Sequence, residues 1–545
     1  MFNQYFCNIG PDLAASIPNS SDDFLSYLSP GPQKSIFLEP TSEGEVAIIL
    51  SEMKSSKAVG PDLIPTHFLK LVFNIIGDVI CIFFNESIRL GIFPDALKTA
   101  RVMPVFKKGC KKLISNYRPI SVLPNLATVF EKLIDCRLKK FFELNAVLSP
   151  TQHGFRSNHN TNHAILSIVT DYYKTIKQKE SGCSIFIDLR KAFDTVNHRI
   201  LRYKLEHYGI RGIAATLLES YLANRKQFVK LGTLRTTTRD ITCGVPQGSV
   251  LGPTFFLIYI NDIVNASLFR TTLFADDTHL FITSNTVDDL HASVNRELPK
   301  VSRWLQANKL SLNADKTEML VLNNASHNFT VNINHKQISI CDSAKYLGVT
   351  IDSKLSWKQH IECTISKLAR CVGIMTRLQS LVSRSVLRTI YFSLFHSHLQ
   401  YGIVVWGNAC TTFLCRIRTL QNRAIRLISS VPLRTNLSPY YRKHRILRVD
   451  ELYRFEVSKV VHKYFSNSLP PVFDDFFIPA KHVHSHYTRS SSKGNIYLPP
   501  PNSNLTKRSI DYSGPIIWNA LPPHIRELPY NRFKKALLDH LLSLH

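Results

Sequence analysis

The sequence predicts an α+β chain built from several subdomains, and three observations carry that reading. Ser184-Ile185-Phe186-Ile187-Asp188 is a short, nearly all-apolar run ending in an acid, the pattern of a central strand buried on both faces. Leu273-Phe274-Ala275-Asp276-Asp277-Thr278-His279-Leu280-Phe281 sets an acidic pair between two apolar flanks, which reads as a hairpin with the acids in its turn. Ile361, Ile365, Leu368, Val372 and Met375 recur at helical spacing, with Lys367, Arg370 and Arg377 on other faces. At 545 residues and 44% hydrophobic composition, the chain can bury a sizeable core spread over two to four domains or subdomains.

Taken in order, residues 1–40 are mixed and interrupted by Asn19-Ser20-Ser21-Asp22-Asp23 and Pro30-Gly31-Pro32, so they read as a linker with a short helix or two. Ser42-Glu43-Gly44-Glu45 fits a capping box, with a helix following to about Met53 and the turn Gly60-Pro61 closing that unit. Phe68 to Arg89 is a second helix. Its apolar stretch to Ile88 contains Lys70, Asn74, Asp78 and Asn85 and reads as a buried helix rather than a membrane span. Arg101 to Phe106 is a strand, followed by the basic loop Lys107-Lys108-Gly109-Cys110-Lys111-Lys112 and, after Asn116-Tyr117-Arg118-Pro119-Ile120-Ser121-Val122-Leu123-Pro124, a helix from about Leu126 to Phe142. Asp194 is placed to cap a helix from Thr195 to Tyr208, and Gly209 to end it. Gly244 to Ile263 is a Gly/Pro-punctuated loop feeding an apolar helix; after the hairpin a helix runs to about Asn308. Arg416, Arg418, Arg423 and Arg426 mark a second basic helix. Beyond about residue 440, Pro470-Pro471 and Pro499-Pro500-Pro501 break up the chain. His482-Val483-His484-Ser485-His486 reads as a solvated loop rather than a metal site, and a last helix carries Phe533, Leu537, Leu538 and Leu541 on one face.

Lys plus Arg number 67 against 40 Asp plus Glu, a formal charge of +27. That excess is spread along the chain, which favours nucleic acid held in a long channel over a basic arm. Eleven Cys without CxxC spacing point to a reducing compartment and buried thiols; no Cys follows the closest pair, Cys410 and Cys415, which excludes a C-terminal zinc knuckle. No secretory signal opens the chain.

An Asp-Asp pair in a turn is ordinarily just a solvated turn. Here Asp188 upstream, and a glycine-proline-glutamine segment between, change the reading. Acids on neighbouring strand ends are what two-metal phosphoryl transfer needs. One metal activates a 3′-hydroxyl and the other neutralises the triphosphate and the leaving group, the two held about 4 Å apart by bridging carboxylates. Asp188 and Asp276 can bridge them if the central strand lies beside the hairpin, with Asp277 as a more peripheral third.

Seven segments in order resemble the reverse transcriptase of non-LTR retrotransposons, of the jockey-like and related elements. Phe186-Ile187-Asp188-Leu189-Arg190-Lys191-Ala192-Phe193-Asp194 resembles the family's first acidic motif, and Gly244-Val245-Pro246-Gln247-Gly248-Ser249-Val250-Leu251-Gly252-Pro253 its substrate loop. Phe274-Ala275-Asp276-Asp277 resembles the acidic hairpin; Leu312-Asn313-Ala314-Asp315-Lys316-Thr317-Glu318 and Tyr346-Leu347-Gly348-Val349 resemble the two motifs after it. Lys57-Ala58-Val59-Gly60-Pro61-Asp62 and Asn116-Tyr117-Arg118-Pro119-Ile120-Ser121 match fingers motifs. The resemblance covers about residues 41 to 440. Tyr401-Gly402, Trp406 and Gly514-Pro515-Ile516-Ile517-Trp518-Asn519-Ala520-Leu521-Pro522 resemble the same elements' tails, with no physical account of what residues 441–545 do.

The resemblance implies a right-hand polymerase fold: fingers over 41–180, a palm of antiparallel sheet plus helices over 181–345, a helical thumb over 346–440, and a polymerase core of about 90–352. It implies an RNA-directed DNA polymerase that extends a DNA primer on template RNA with dNTPs and Mg²⁺, Mn²⁺ being a possible substitute. Asp188, Asp276 and Asp277 become metal ligands. Phe193, five positions after Asp188, becomes the ring that rejects a 2′-hydroxyl by steric clash, against a plain core Phe. Gln247 contacts the nucleotide, and Gly248 lets backbone approach, or simply makes a tight turn. Arg118 and Lys107 clasp the triphosphate, although Lys108, Lys111 and Lys112 compete with Lys107 for that place. Lys316 either gives a proton to pyrophosphate or pairs with Glu318. Tyr346, Leu347 and Gly348 grip the primer, and the basic helices track the product duplex.

Relatives of this type commonly carry an upstream endonuclease, for which residues 1–40 are too few; the chain reads as a fragment or a truncated copy. A copy that binds nucleic acid without catalysis is the alternative from another class, and an intron maturase or telomerase-like polymerase a third. Nucleus and cytoplasm are expected for the parent element. No membrane partner is implied, and neither oligomeric state nor template is set by the sequence.

Overall fold

The computed structural model describes residues 1–18, 22–323, 329–333, 336–483, 494–501 and 503–544; Asn19-Ser20-Ser21 and His484-Ser485-His486 lie outside the described residues. Helices α1 (Phe2–Ala15), α2 (Glu43–Glu52) and α3 (Thr66–Leu90) precede a hairpin of β1 (Thr99–Phe106) and β2 (Tyr117–Val122). Helices α4 (Asn125–Leu144) and α5 (Thr161–Gln178) lead to β3 (Ser181–Ile187), α6 (His198–His207), α7 (Ile213–Leu222) and β4 (Lys226–Leu231), with the two-residue strands β5 (Leu234–Arg235) and β6 (Arg239–Asp240). Then come α8 (Leu251–Ile260), β7 (Arg270–Phe274), β8 (Asp277–Ser284), α9 (Val287–Ala307) and β9 (Glu318–Leu322). The short strands β10 (Asn332–Ile333), β11 (Lys336–Gln337) and β12 (Ser339–Ile340) precede the hairpin of β13 (Ser343–Tyr346) and β14 (Val349–Asp352). Everything after it among the described residues is helix and loop, including α10 (Lys358–Leu378), α11 (Arg384–Ile390), α12 (Ser397–Gln400), α13 (Ile403–Trp406), α14 (Thr411–Ser429), α15 (Ser438–His444) and α16 (Val449–Phe465). The architecture is α+β, as expected.

The site-bearing sheet runs β12-β9-β3-β8-β7, antiparallel except where β12 meets β9. Its central strand β3 is buried along its whole length, which is why its sequence is a continuous apolar run rather than an alternation. Cys183, Ile185 and Ile187 face the core that includes Leu290, Val294 and Leu298 of α9; Phe186 faces the core that includes Ile165, Val169 and Tyr172 of α5. A second sheet, β2-β1-β4-β5, pairs the β1–β2 hairpin in parallel with β4, Thr99 to Val102 against Lys226 to Val229.

Three readings are corrected by this architecture. Asp194 does not cap the next helix: α6 starts at His198, and Asn197 Oδ1 accepts the N–H groups of Arg199 and Ile200, leaving Asp194 in the preceding turn. Helix α3 is buried on one face only. Leu69, Phe73, Ile80 and Phe84 face inward, while Leu71 (76% exposed), Ile75 (78%) and Val79 (60%) line an outer face. By length and composition alone α3 could cross a membrane, and only 28% of its most apolar window is buried, less than a core helix would be. The thiols are not generally buried either: Cys110, Cys136, Cys363 and Cys415 are exposed and only Cys183 and Cys371 are buried, because the exposed set falls on outward helix faces and in the basic loop.

Residues 1–40 contain more order than a linker needs. Helix α1 packs Phe6 with Val102 and Val229, and Asn3 Nδ2 donates to Thr237 O at 2.8 Å. Ser42 caps α2 through Glu45 N as expected, but the Glu45 carboxylate turns to Arg137 and Thr41 instead of closing the box.

Candidate active site

The sheet brings the three acids together. In the β3–β8 ladder Ile187 opposes Thr278, so Asp188, one residue past the strand, emerges beside the β7–β8 turn that carries Asp276 and Asp277. The turn is tight: Phe274 pairs with Asp277, and Ala275 adopts a left-handed φ of 55°. Burial and then the Asp188 charge push the Asp276 carboxyl above its ordinary pKa, with Arg118 and Lys107 pulling the other way. Asp277 rises to about 6; its outer rim meets solvent, yet packing around it is the main cause, followed by the charges of Asp276 and Asp188. Asp276 and Asp277, both held above their ordinary pKa by burial and by neighbouring acidic charge, form with Asp188 a site that a cation relieves.

Part of that relief already comes from the chain. Asp188 Oδ2 accepts from Asn313 Nδ2 at 2.6 Å and from Lys316 Nζ at 3.2 Å. Lys316 therefore pairs with Asp188, not with Glu318, which corrects one of the two readings of that lysine. The loop is latched by backbone too, Asn313 N to Asp188 O at 2.8 Å and Arg190 N to Ser311 O at 2.8 Å. Among the described residues no three His, Cys, Asp or Glu side chains close on one point tightly enough to cage a metal ion. The donor chemistry still fits a hard divalent cation, which takes carboxylate oxygens and water.

The cations opposite come from the other sheet. Lys107 follows β1, its N–H bonded to Asn116 O at 2.9 Å, and Arg118 on β2 lies across from Val105. Burial and then the charges of Arg118 and Lys316 hold the Lys107 ammonium below its usual pKa. Of the four lysines in that loop, Lys107 is the one whose shift registers both Arg118 and Asp188. Lys191, quoted in the sequence only as part of a motif, joins the group: its Nζ reaches Tyr117 O at 3.4 Å and its ammonium too is held down, by burial first. Asn313 and Lys191, to which sequence reasoning gave no part, both sit inside motifs already quoted.

Phe193 stacks on Phe256 with ring centroids 4.7 Å apart and stays half-buried. The loop around Gln247 docks on that turn through Val245 N to Phe193 O, and on β2 through Ser121 N to Gln247 O at 2.8 Å. Glu131, fully buried in α4, accepts Val250 N at 2.6 Å and so fixes the loop's far end. Gly248 has φ 116°, and a Cβ there would meet Ser121 O at 2.8 Å, so the close approach it permits is to β2. Gln247 Nε2 donates to both Asp194 oxygens, at 2.9 and 2.8 Å, which gives Asp194 the task that capping does not; burial pushes Asp194 up to about 6.

Tyr346 lies inside the core, 3% exposed, with its ring against Phe186 and His279. Only the turn that follows it reaches the surface. Leu347 and Gly348 take positive φ there, and Tyr401 Oη donates to Leu347 O at 2.5 Å. The Tyr346 side chain is thus closed to any strand passing over this surface, and the Leu347-Gly348 backbone is the part of the motif that is open.

The sequence profile of the family described as "Reverse transcriptase (RNA-dependent DNA polymerase)" matches residues 105–351. The chain is 30% identical over 413 residues to the "RNA-directed DNA polymerase from mobile element jockey" of Drosophila funebris, a match covering 73% of this chain and 45% of that protein. It is 29% identical to the "Probable RNA-directed DNA polymerase from transposon X-element" of Drosophila melanogaster, over 75% of this chain and 46% of the relative. With the transposon BS protein of the same fly, "Probable RNA-directed DNA polymerase from transposon BS", identity is 27% over 78% and 49%. The chain thus spans about half the length of the curated relatives it matches.

Proposed function

We propose that the chain is an RNA-directed DNA polymerase extending a DNA 3′-hydroxyl on an RNA template, on the ground that residues 105–351 match the reverse transcriptase family profile and that relatives of the chain come from jockey-type mobile elements. One observation carries the reading furthest: Asp188, Asp276 and Asp277 converge at the ends of adjoining strands, opposed by Lys107, Arg118 and Lys316 from other segments. Acids on one wall and cations on the other are what a nucleoside triphosphate and its metal require.

In this reading residues 41–180 act as fingers, 181–345 as palm and 346–440 as thumb. The 3′-oxygen of the primer bonds to the α-phosphorus of the dNTP, the bond to the β-phosphate breaks, and pyrophosphate leaves with the electron pair. Asp188, Asp276 and Asp277 would hold Mg²⁺, or Mn²⁺ in its place, which supplies charge neutralisation and lowers the pKa of the attacking hydroxyl. Lys107 and Arg118 bind the triphosphate, Arg118 with its planar fork and Lys107 as a point charge. Lys316, which in the free chain pairs with Asp188 Oδ2, gives a proton to the departing pyrophosphate in this reading. Phe193 closes the space a 2′-hydroxyl would need. Asp194 takes both Gln247 Nε2 hydrogen bonds, which turns the amide carbonyl toward the incoming nucleotide, and the Leu347-Gly348 turn meets the primer backbone.

Primer extension on an RNA template with dNTPs and Mg²⁺ tests this, wild type beside Asp276→Ala. The variant should lose about a thousandfold or more in rate. No extension by a folded, RNA-binding wild type, with Mn²⁺ also tried, overturns the enzyme reading and leaves a nucleic-acid-binding protein.

A further inference from the structure

A segment outside the acidic motifs is built onto the back of their turn. Thr151 to His153 runs beside β7 as an extra parallel partner: Leu273 N donates to Thr151 O at 3.0 Å and His153 N to Leu273 O at 2.8 Å, around the bridge Gln152–Leu273. Gln152 is 1% exposed, and its Oε1 accepts two backbone N–H groups, Gly154 at 2.8 Å and Ala275 at 3.1 Å. Two N–H donors facing one end of the amide fix which end is the oxygen. Gly154 has no room for a side chain, since a Cβ would lie 2.5 Å from Ala275 N. Ala275 is the residue in the left-handed conformation, φ 55°, immediately before Asp276. An alanine reaches that conformation at a cost, and it persists only where its surroundings over-determine it. Here the over-determination is visible: the N–H of Ala275, buried in the turn, has the Gln152 carbonyl as its acceptor.

We propose that Gln152 is a positioning residue for the acidic turn: its amide oxygen pins Ala275 in the left-handed conformation and so aims Asp276 and Asp277 at the cation they share with Asp188. This rests on the polymerase reading of the three acids. Gln152 touches neither substrate nor cation and acts only through the turn, so its loss should move the affinity of the site for divalent cation.

The test uses the full chain and Mn²⁺ as the probe, its binding followed by electron paramagnetic resonance without nucleotide. Gln152→Leu keeps the volume and removes the acceptor. Mn²⁺ binding should weaken about tenfold or more, the usual scale for a group that orients metal ligands from behind, and the Mg²⁺ concentration that half-activates primer extension should rise by the same factor. Affinity for a primer–RNA duplex should stay put, while the thermal midpoint falls by about a few degrees because two buried N–H groups lose their acceptor. Gln152→Glu keeps an acceptor in the same place and should restore Mn²⁺ binding. If Gln152→Leu does not fold, Gln152→Asn withdraws the acceptor by one methylene and the same weakening is expected. A folded Leu or Asn variant that binds Mn²⁺ like wild type overturns the proposal, as does a Glu variant as weak as Leu. Because binding is read without turnover, a wild type that binds Mn²⁺ but extends no primer fails the polymerase reading while the Gln152 comparison still stands or falls.

Discussion

Asp277 shows most plainly what the site gives up in stability. Its carboxyl titrates near 6 in the fold against an ordinary 3.8, so the folded state holds that proton more tightly than the unfolded chain does. The contribution to stability is therefore complete below about pH 4 and is lost as pH rises through 6. Asp277→Asn, melted in EDTA, should match wild type near pH 4 and exceed it at pH 7.5 by about 1–3 °C, while polymerase activity falls; equal midpoints at pH 7.5 would remove the like-charge account. Phe193 makes the opposite kind of prediction. Phe193→Ala should leave dNTP incorporation largely intact and cut discrimination against rNTPs by about tenfold or more, measured as the ratio of kcat/KM values; an unchanged ratio reduces Phe193 to a packing residue on Phe256. The buried strand leading into Asp188 and the hairpin turn carrying Asp276 and Asp277 were legible because each has its own local pattern of apolar and acidic residues. Gln152 and the Asp188–Asn313 bond were not, since a side chain 123 positions from the N–H it accepts leaves no local pattern.

Helix α3 separates what periodicity reports from what it cannot. Its existence was legible to within two residues at each end, but its burial was not, because apolar residues occupy all sides. Phe84 is fully buried and stacks on Phe130 at 4.5 Å, with rings nearly parallel. Phe84→Ala should cost about 3–5 kcal/mol, whereas Ile75→Glu on the outer face should change stability by about 0.5 kcal/mol or less. The two urea midpoints decide it: a large shift for Ile75→Glu would mean that the outer face is covered in solution. Helix α5 shows the converse. It is buried nearly all round, packed between the site-bearing sheet and the C-terminal helices, with His163, Ser167, Thr170, Asp171 and Thr175 buried among its apolar residues, so its polar positions do not mark a solvent face.

For the molecule as a whole, the described residues beyond 440 share the core of the helices before them. Gln421 of α14, fully buried, donates to Leu447 O at 2.8 Å and accepts Val449 N at 3.1 Å, and Gly407 packs so closely on Tyr453 that a Cβ would lie 2.7 Å from its ring. Deleting residues 441–545 should thus give aggregated protein on size-exclusion chromatography; a monodisperse, active product would show that the C-terminal region is an appendage. The sequence marked this region only by its prolines and its last helix, because the contacts that hold it to the preceding helices, such as those of Gln421 with Leu447 and Val449, join residues 26 and 28 positions apart and leave no local pattern. The same non-locality governs how the chain is made. The hairpin carrying Lys107 and Arg118 completes its sheet only with β4, whose pairing begins at Lys226, and β3 stays open on one edge until Glu318 to Leu322 arrives. On a ribosome adding about 5–20 residues per second, the strand that leads into Asp188 waits several seconds with an unpaired apolar edge. The early half of the chain is then a customer for chaperones, and slowing translation after β3 should lengthen its exposure to aggregation.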